Sequence, residues 1–244
     1  MKYALGHSFG DAYVYVKLDH APDAARDSER ALRNSEANAY YELFSNDYFL
    51  YDSLYIYRTF FKTWTNGFFV ESGAFDGSAY GSNTYHFERY LGWSGLLVEA
   101  APANCARLLR RRNETERVKS VCTALCSFNG VSNFSTTDGG CCGTTRHGAA
   151  TVQCSRTQDV LRTHDVSRID FWSLDVEGGE LEVLKGMDWT IPVYVLLVES
   201  MTDPIRHLLS QHGFAQHSFT SPSRLNEIWV NPLAAPAHKS WHGP

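Results

Sequence analysis

Four carboxylate residues stand where apolar runs of the sequence end: Glu71, Glu99, Asp175 and Glu199. Such runs are typical of strands buried in a parallel sheet, and ligands of open α/β sheets bind at the carboxyl edge of those strands. A single acid is equally well explained as a helix cap or an ion-pair partner. Because an ionised carboxylate is costly to bury, four acids in phase with the strand pattern predict a shared pocket.

The first of these acids is followed at once by a turn that contains glycine. Residues 68–77 read Phe-Phe-Val-Glu-Ser-Gly-Ala-Phe-Asp-Gly, which predicts a buried strand, a tight turn and entry into a helix. Glycine lets the backbone turn and lets a ligand approach closely. Glu99 lies 22 residues after Gly77, near the spacing at which a second-strand acid accepts hydrogen bonds from both ribose hydroxyls. The pattern predicts a ligand that contains a nucleoside.

The spacing of the glycines separates the classes of nucleoside cofactor. The turn lacks the Gly-x-Gly-x-x-Gly pattern of a pyrophosphate-binding loop, and the sequence has no Walker loop. Acids beside a glycine turn repel phosphate but suit a cation. S-adenosylmethionine, a nucleoside with a sulfonium and an amino group, fits these features. A nicotinamide-dependent oxidoreductase is the less favoured alternative.

A second dense group of acids lies at residues 175–180, which read Asp-Val-Glu-Gly-Gly-Glu. Asp175 is expected to face the reactive end of the ligand, with Glu177 one step further into the turn. An acid here could act as a general base or hold an acceptor hydroxyl. A pair of acids could also bind a divalent metal through oxygen, although we assign no metal. Glu180 falls at a helix start, where the helix dipole alone favours an acid.

The elements that must position these acids alternate between strand and helix from residue 67 onward. We predict strands at 68–71, 95–99, 120–126, 152–155, 169–175, 193–199, 214–219 and 226–231, and helices at 82–91, 102–112, 178–187 and 203–212. The link at 220–224 is too short for a crossover helix, so the last two strands must be antiparallel. We therefore predict an α/β fold of the class I methyltransferase (Rossmann-like) kind. It is a three-layer sandwich around a mostly parallel seven-stranded sheet with an antiparallel last strand.

Two regions stand outside this alternation. Residues 1–66 are predicted to form an N-terminal helical extension or lid, with a short strand at 12–18, a polar helix at 23–39 and an aromatic helix within 40–64. Residues 127–150, rich in Gly, Thr and Ser, are predicted to form a hairpin and a mobile loop. No repeat or long linker divides the chain. We expect one domain over residues 1–244, with a Rossmann-like core at 67–232.

Composition narrows the partners and the compartment. The chain has 244 residues, 43% of them hydrophobic, and a formal net charge of -5, which is typical of a globular protein and predicts no nucleic-acid partner. No apolar run approaches the roughly 20 residues of a membrane helix. We expect no membrane span in this chain and a soluble, cytoplasmic protein. The alternative is the secretory lumen, if an upstream anchor was removed.

The cysteines and two glycosylation sequons bear on that alternative. Asn113-Glu114-Thr115 and Asn133-Phe134-Ser135 are sequons, which mildly favour a secretory location. Six cysteines are an even number, but a chain of this length does not need disulfides for stability. Zinc is disfavoured because Cys122 and Cys126 have ligand spacing without the usual second pair.

Residues 48–232 resemble the FkbM-type methyltransferases. The resemblance is carried by segments 66–77, 82–84, 91–99, 169–184 and 226–230. Segment 169–184 is the most specific, because its order of strand, acid, glycine and acid is uncommon elsewhere. The resemblance implies a class I fold and methyl transfer from S-adenosylmethionine, usually to a hydroxyl oxygen. We expect the acceptor to be a small molecule or a glycan, chosen by the segments 1–66 and 127–150.

The resemblance also implies particular site residues and one further alternative. It implies catalytic roles for Asp175 and Glu177. We assign to cofactor binding Glu71, Gly73, Asp76, Gly77, Asn83, Glu99 and Asp175. Some members of the eukaryotic type are anchored in the secretory pathway, and not all have a demonstrated activity. A catalytically inactive binding or trafficking module is therefore the main alternative to an enzyme.

Overall fold

The computed structural model describes residues 3–9, 12–17, 51–62, 64–79, 81–112, 117–136, 142–144, 150–199, 201–221 and 225–235. The strands are β1 (Tyr3–Phe9), β2 (Ala12–Lys17), β3 (Phe68–Ser72), β4 (Ser94–Glu99), β5 (Val118–Cys122), β6 (Ala124–Cys126), β7 (Gly130–Thr136), β8 (Cys142–Thr144), β9 (Ala150–Arg156), β10 (Ile169–Leu174), β11 (Val193–Val198), β12 (Ala215–Gln216) and β13 (Glu227–Val230). The α-helices are α1 (Tyr51–Ile56), α2 (Tyr85–Leu91), α3 (Pro102–Arg111), α4 (Thr157–Thr163), α5 (Glu180–Lys185) and α6 (Asp203–Gln211). A π-helical turn at Tyr57–Phe61 continues α1, and a 3-10 turn covers Pro232–Ala234.

The main sheet has seven strands in the order β12-β13-β11-β10-β3-β4-β5. Strands β5, β4, β3, β10 and β11 run parallel to their neighbours, whereas β13 is antiparallel to both β11 and β12. This is the class I methyltransferase arrangement, and it confirms the predicted parallel sheet with an antiparallel last strand. The strand order reverses between β3 and β10, so a ligand crevice is expected where these two strands end.

The strands are apolar because both faces of the sheet are covered. All residues of β10 and β11 are buried. Neighbouring side chains of β10 alternate between the two core clusters, with Phe171 in one and Trp172 in the other. Both rings are fully buried. Because the strands are packed on both faces, their carboxyl ends form a rigid edge of the sheet.

The aromatic segment before β3 packs on one of these faces, as its helical spacing predicts. Phe61 of the π-helical turn is fully buried and lies edge-on to Phe87, Trp93 and Tyr194. Such aromatic pairs add to the burial of apolar area. The turn therefore fastens α1 over the centre of the sheet.

A second sheet has four strands in the order β6-β9-β7-β8. Strands β7 and β8 lie in the region predicted as a hairpin and loop, and β6 and β9 lie in the predicted strands on either side of it. Strands β7 and β9 are antiparallel, as are β7 and β8, which confirms the hairpin. Two disulfides lie here and beside β5, Cys105–Cys122 and Cys126–Cys154. Four of the six cysteines are therefore paired, which the sequence alone could not determine.

The amino-terminal region differs in part from its prediction as a helical extension. Residues 3–9 and 12–17 form an antiparallel hairpin of β1 and β2, where the sequence predicted one short strand. Residues 51–61 are helical, as was predicted for the aromatic segment. The helix predicted at 23–39 lies outside the described residues. Among the described parts of the chain, no helix is both long and apolar enough to cross a membrane.

Candidate functional site

Backbone hydrogen bonds hold the carboxyl ends of the central strands level with one another. Asp175 N donates to Ser72 O at 3.0 Å, and Glu199 N donates to Leu174 O at 3.0 Å. The first residue after β10 is therefore tied to the end of β3, and the first residue after β11 to the end of β10. Acids that follow these strands meet at one edge of the sheet.

Gly73 begins the turn after β3 in direct contact with the end of β10. Its φ is +86°, in the left-handed region that favours glycine, and a Cβ placed there would lie 1.7 Å from the carbonyl oxygen of Asp175. Its N–H donates to Val98 O at 2.9 Å. Only glycine fits this position, because both the dihedral angle and the space exclude a side chain.

Three carboxylates converge beside this turn. Oxygen atoms of Asp175, Glu177 and Glu199 lie within 4.8 Å of one another, and Asp175 Oδ1 is buried without a hydrogen-bond partner. Burial, together with the neighbouring acids Glu199, Glu177 and Glu180, raises the pKa of Asp175 to about 9. The arrangement is suited to a cation. Carboxylate oxygens also bind divalent metals, so our assignment of no metal stays a prediction.

Glu180 has a larger role than its position at a helix start suggested. Its Oε1 accepts hydrogen bonds from Val176 N and Gly178 N, both at 3.1 Å, and the residue is only 1% exposed. Glu177 in the same turn has a φ of +57°, which is costly for a non-glycine residue. Glu180 therefore builds the turn that presents Asp175 and Glu177. Glu180 could have been identified in the sequence by its position in a strand-to-helix turn, two residues after Gly178.

Glu71 lies in β3 and holds the segment at 82–84 in place beside the site. Its carboxylate accepts hydrogen bonds from Ser82 Oγ at 2.6 Å, Asn83 N at 2.6 Å and Thr84 Oγ1 at 2.7 Å, and it is 2% exposed. Burial raises its pKa, while the bonds from Ser82 and Thr84 oppose that shift. Asn83 Nδ2 in turn donates to Ser173 Oγ of β10 at 3.0 Å. The observed contacts of Glu71 are within the chain, and its direct contact with a cofactor stays a prediction.

These contacts also explain why α2 begins later than its predicted start at residue 82. Ser82 Oγ accepts hydrogen bonds from Thr84 N and Tyr85 N, at 3.3 Å and 3.0 Å. Residues 82–84 are therefore held as a turn on Glu71, and helical structure starts at Tyr85.

Glu99 joins the glycine turn to the start of α3. Its Oε2 accepts from Phe75 N and its Oε1 from Ala101 N, both at 2.8 Å. Burial raises its pKa, and the bonds from Ala101 and Phe75 oppose the rise. Each carboxylate oxygen has two acceptor positions, so the observed bonds leave room for ligand hydroxyls. The structure thus places Glu99 at the strand end where the sequence predicted it.

Asp76 and Gly77 lie on the side of the glycine turn that packs against α3. Asp76 Oδ2 pairs with Arg111 Nη1 at 3.2 Å. A Cβ on Gly77 would lie 2.6 Å from side-chain atoms of Leu108 and Arg112. These contacts fasten the turn to the helix, and a role in cofactor binding for either residue stays a prediction.

A buried acid missed by the sequence reasoning lies on the other side of the same edge. Asp52 Oδ2 of α1 accepts hydrogen bonds from Ser221 Oγ at 2.8 Å and Asn226 Nδ2 at 2.6 Å. Because β13 is antiparallel, its start lies at the edge where the parallel strands end. Asp52 therefore fastens α1 over that edge. The sequence predicted a helix within 40–64, but nothing in its aromatic pattern indicated that Asp52 would be buried.

Comparison with known proteins gives a family match and several similar folds. A family model described as the methyltransferase FkbM domain matches residues 71–215. No curated protein sequence matches the chain. A solved structure of methyltransferase FkbM from Methylobacillus flagellatus is 15% identical with a TM-score of 0.46, and the match covers 82% of this chain and 54% of that one. The chain thus matches about half the length of that protein.

Two further structures show the range of similar folds. Aeropyrum pernix fibrillarin, in complex with natively bound S-adenosyl-L-methionine, is 12% identical with a TM-score of 0.41, covering 68% of this chain and 66% of that one. The 1,6-didemethyltoxoflavin-N1-methyltransferase of Burkholderia thailandensis, with bound S-adenosylhomocysteine, is 14% identical with a TM-score of 0.42. That match covers 93% of this chain and 97% of the other.

Proposed function

Because the chain belongs to the FkbM methyltransferase family, we propose that it transfers a methyl group from S-adenosylmethionine to a hydroxyl oxygen of a small molecule or glycan. One observation carries this proposal: the carboxylates of Asp175, Glu177 and Glu199 lie within 4.8 Å of one another where the central strands end. Like charges at this distance oppose one another's ionisation, so the cluster is best satisfied by a positively charged ligand. The cofactor supplies such a charge, and its sulfonium carries the methyl group to be transferred.

The residues around the cluster have separate roles in binding the cofactor. Gly73 lets the turn after β3 pack against the backbone of Asp175 at the cofactor site, and Glu99 accepts hydrogen bonds from the ribose hydroxyls. Glu71 acts through Asn83, which it holds beside β10. The oxidoreductase alternative loses support, because the sheet has the antiparallel strand β13 and the family is one of methyltransferases.

Asp175 and Glu177 are the residues we propose for proton transfer. A buried carboxyl whose pKa is raised to about 9 holds its proton at neutral pH, and it loses that proton when a cation lies beside it. The ionised carboxylate then accepts the proton of the acceptor hydroxyl. The rigid strand ends orient the reacting groups, and most of the rate enhancement of a displacement comes from such orientation.

Titration calorimetry with S-adenosylmethionine and S-adenosylhomocysteine tests the proposal, followed by a screen of hydroxyl acceptors that detects release of S-adenosylhomocysteine. We expect binding of both ligands and turnover with at least one sugar, lipid, polyketide or peptide hydroxyl. Absence of binding would leave the inactive module as the better account. Turnover only with nitrogen acceptors would retain the methyltransferase and overturn O-methylation.

The disulfides favour the secretory lumen over the cytoplasm that composition suggested. Cys105–Cys122 and Cys126–Cys154 both close within this chain, and such bonds persist in oxidising compartments. Asn133 of the second sequon is exposed on β7, where an attached glycan would face solvent. Expression through a secretory pathway should yield chain without free thiols at these four cysteines and with a glycosidase-sensitive mass at Asn133. Recovery of fully reduced, active chain from cytoplasm would contradict this placement.

A further inference from the structure

The Cys105–Cys122 disulfide lies against the acid that we assign to the ribose. Cys122 is the direct partner of Glu99 in the register of the parallel strands β4 and β5. Cys105 lies in α3, the helix that begins just after Glu99. The disulfide therefore joins the strand on one side of Glu99 to the helix that follows it.

Hydrogen bonds reach Glu99 from both of the elements that the disulfide joins. On the helix side, Ala101 N donates to Glu99 Oε1 at 2.8 Å. On the strand side, Thr123 N donates to Glu99 O at 3.0 Å. Glu99 thus lies inside a ring that is closed by these bonds and by one covalent crosslink.

The crosslink matters because β5 is the last strand of the sheet on its side. Among the described residues it pairs with β4 alone within the main sheet, and an edge strand has a neighbour on one side alone. Its disulfide to α3 supplies a second anchor at the residue opposite Glu99. The helix end of that anchor is firm, since Cys105 and Leu108 are both almost completely buried in the core.

We infer that Cys105–Cys122 is a positioning crosslink for the adenosine half of the cofactor, so that cofactor affinity depends on the oxidation state of this cysteine pair. The inference rests on the proposed function. A dithiol reduces the bond with two electrons and two protons, which leaves two cysteine thiols and an oxidised, cyclic disulfide. Cys122 is exposed, which gives a reductant access from the strand side. Reduction frees the end of β5 and loosens the ring around Glu99.

The second disulfide provides a matched control. Cys126–Cys154 joins β6 to β9 in the four-stranded sheet, and it has no contact with Glu99 among the described interactions. Its sequence separation is 28 residues, against 17 for Cys105–Cys122. Loops of such similar length predict similar losses of stability when either bond is removed. If removal of the two bonds changes ligand affinity by different amounts, the difference therefore reflects where each bond lies and not the entropy of the unfolded chain.

The test compares the double variants C105S/C122S and C126S/C154S by calorimetry, well below the unfolding temperature of both. The ligands are S-adenosylhomocysteine and 5′-methylthioadenosine, which has the adenosine half without the amino acid. We expect the first variant to bind both ligands about tenfold or more weakly, which corresponds to about 1.4 kcal/mol. The control should stay within about twofold of the wild type. Equal losses in the two variants, or no loss in C105S/C122S, would overturn the inference.

A cycle with Glu99 separates positioning from general loosening. In the Glu99→Ala background, removal of Cys105–Cys122 should cause no further loss of affinity, because the two changes act through the same carboxylate. Fully additive losses would contradict the inference. If C105S/C122S does not fold, wild type reduced stepwise by a dithiol replaces it, with peptide mass spectrometry to assign the reduced bond. Affinity should then fall with the reduced fraction of Cys105–Cys122 and return on reoxidation. Failure of the oxidised wild type to bind either ligand would instead refute the proposed function.

Discussion

A Cβ atom on residue 73 would lie 1.7 Å from the carbonyl oxygen of Asp175. The turn after β3 and the turn after β10 are thus packed backbone against backbone, although they are far apart in the sequence. Asp175 N also donates to Ser72 O, which fixes the same contact from the other side. The position of the candidate catalytic acid therefore depends directly on the absence of a side chain at residue 73.

Gly73→Ala is expected to destabilise the protein and to displace Asp175. The left-handed φ of +86° alone costs an alanine about 1–3 kcal/mol, and the clash with backbone adds to this cost. Urea titration measures the loss in the free energy of unfolding, and calorimetry measures the expected loss of cofactor affinity.

Gly178→Ala is the matched control for this prediction. Gly178 has a similar φ of +94°, but nothing lies within 4 Å of its Cβ position. Its replacement should cost only the conformational part, about 1–3 kcal/mol, without the added cost of a clash. If the two variants lose the same stability, the packing of residue 73 against Asp175 has no energetic importance.

Much of this edge could be predicted from sequence, because its strands are apolar runs that end in acids. The positions of Glu99 and Asp175 follow from the strand pattern alone. The contacts of Glu71 and Glu180 could not be predicted in this way. They depend on which backbone N–H groups each side chain meets inside a turn, and neither hydrophobic period nor glycine spacing contains that information.

The cysteine pairing could not be predicted from the sequence, for a different reason. Six cysteines allow 15 pairings, and the observed bonds join α3 to β5 and β6 to β9. Only the spatial order of the sheet brings those elements together. The same holds for the hairpin of β1 and β2, whose first strand has too mixed a pattern to predict alone.

Binding of S-adenosylmethionine is expected to release a proton. The ligand-free Asp175, with a pKa of about 9, is protonated at pH 7.5. A neighbouring cation stabilises the carboxylate and lowers that pKa, so roughly one proton leaves per cofactor bound, and affinity rises as pH increases towards 9. Calorimetry in buffers of different ionisation enthalpy measures the released proton.

Two comparisons test the origin of that proton. S-adenosylhomocysteine lacks the sulfonium charge and should release less, and Asp175→Asn should abolish the difference between the two ligands. Affinity for S-adenosylmethionine that falls with rising pH would have the opposite sign. That result would show that the cluster does not ionise in response to the cofactor.

Asp175→Asn is also expected to lower turnover by about 10²–10⁴-fold, the usual contribution of a general base. Affinity for S-adenosylhomocysteine should change little, because asparagine keeps the shape of the side chain and this ligand has no sulfonium charge for a carboxylate to balance. Glu182→Gln is the control, since Glu182 is exposed on the next helix and pairs with Lys185. Normal turnover in Asp175→Asn, measured by release of S-adenosylhomocysteine, would leave Asp175 with a structural role only.

Glu71→Gln is expected to cost more stability than the removal of any one of the groups that donate to Glu71. Ser82 Oγ, Asn83 N and Thr84 Oγ1 all donate to its carboxylate, so an amide NH₂ in its place faces donors and leaves at least one unsatisfied. An unsatisfied buried group costs about 1–3 kcal/mol, whereas the loss of one net hydrogen bond costs about 0.5–1.5 kcal/mol. Thr84→Val removes one donor at nearly constant shape and should give the smaller loss in urea titration. If Thr84→Val is the more damaging change, the segment at 82–84 is held by its own packing, and Asn83 reaches β10 without the help of Glu71.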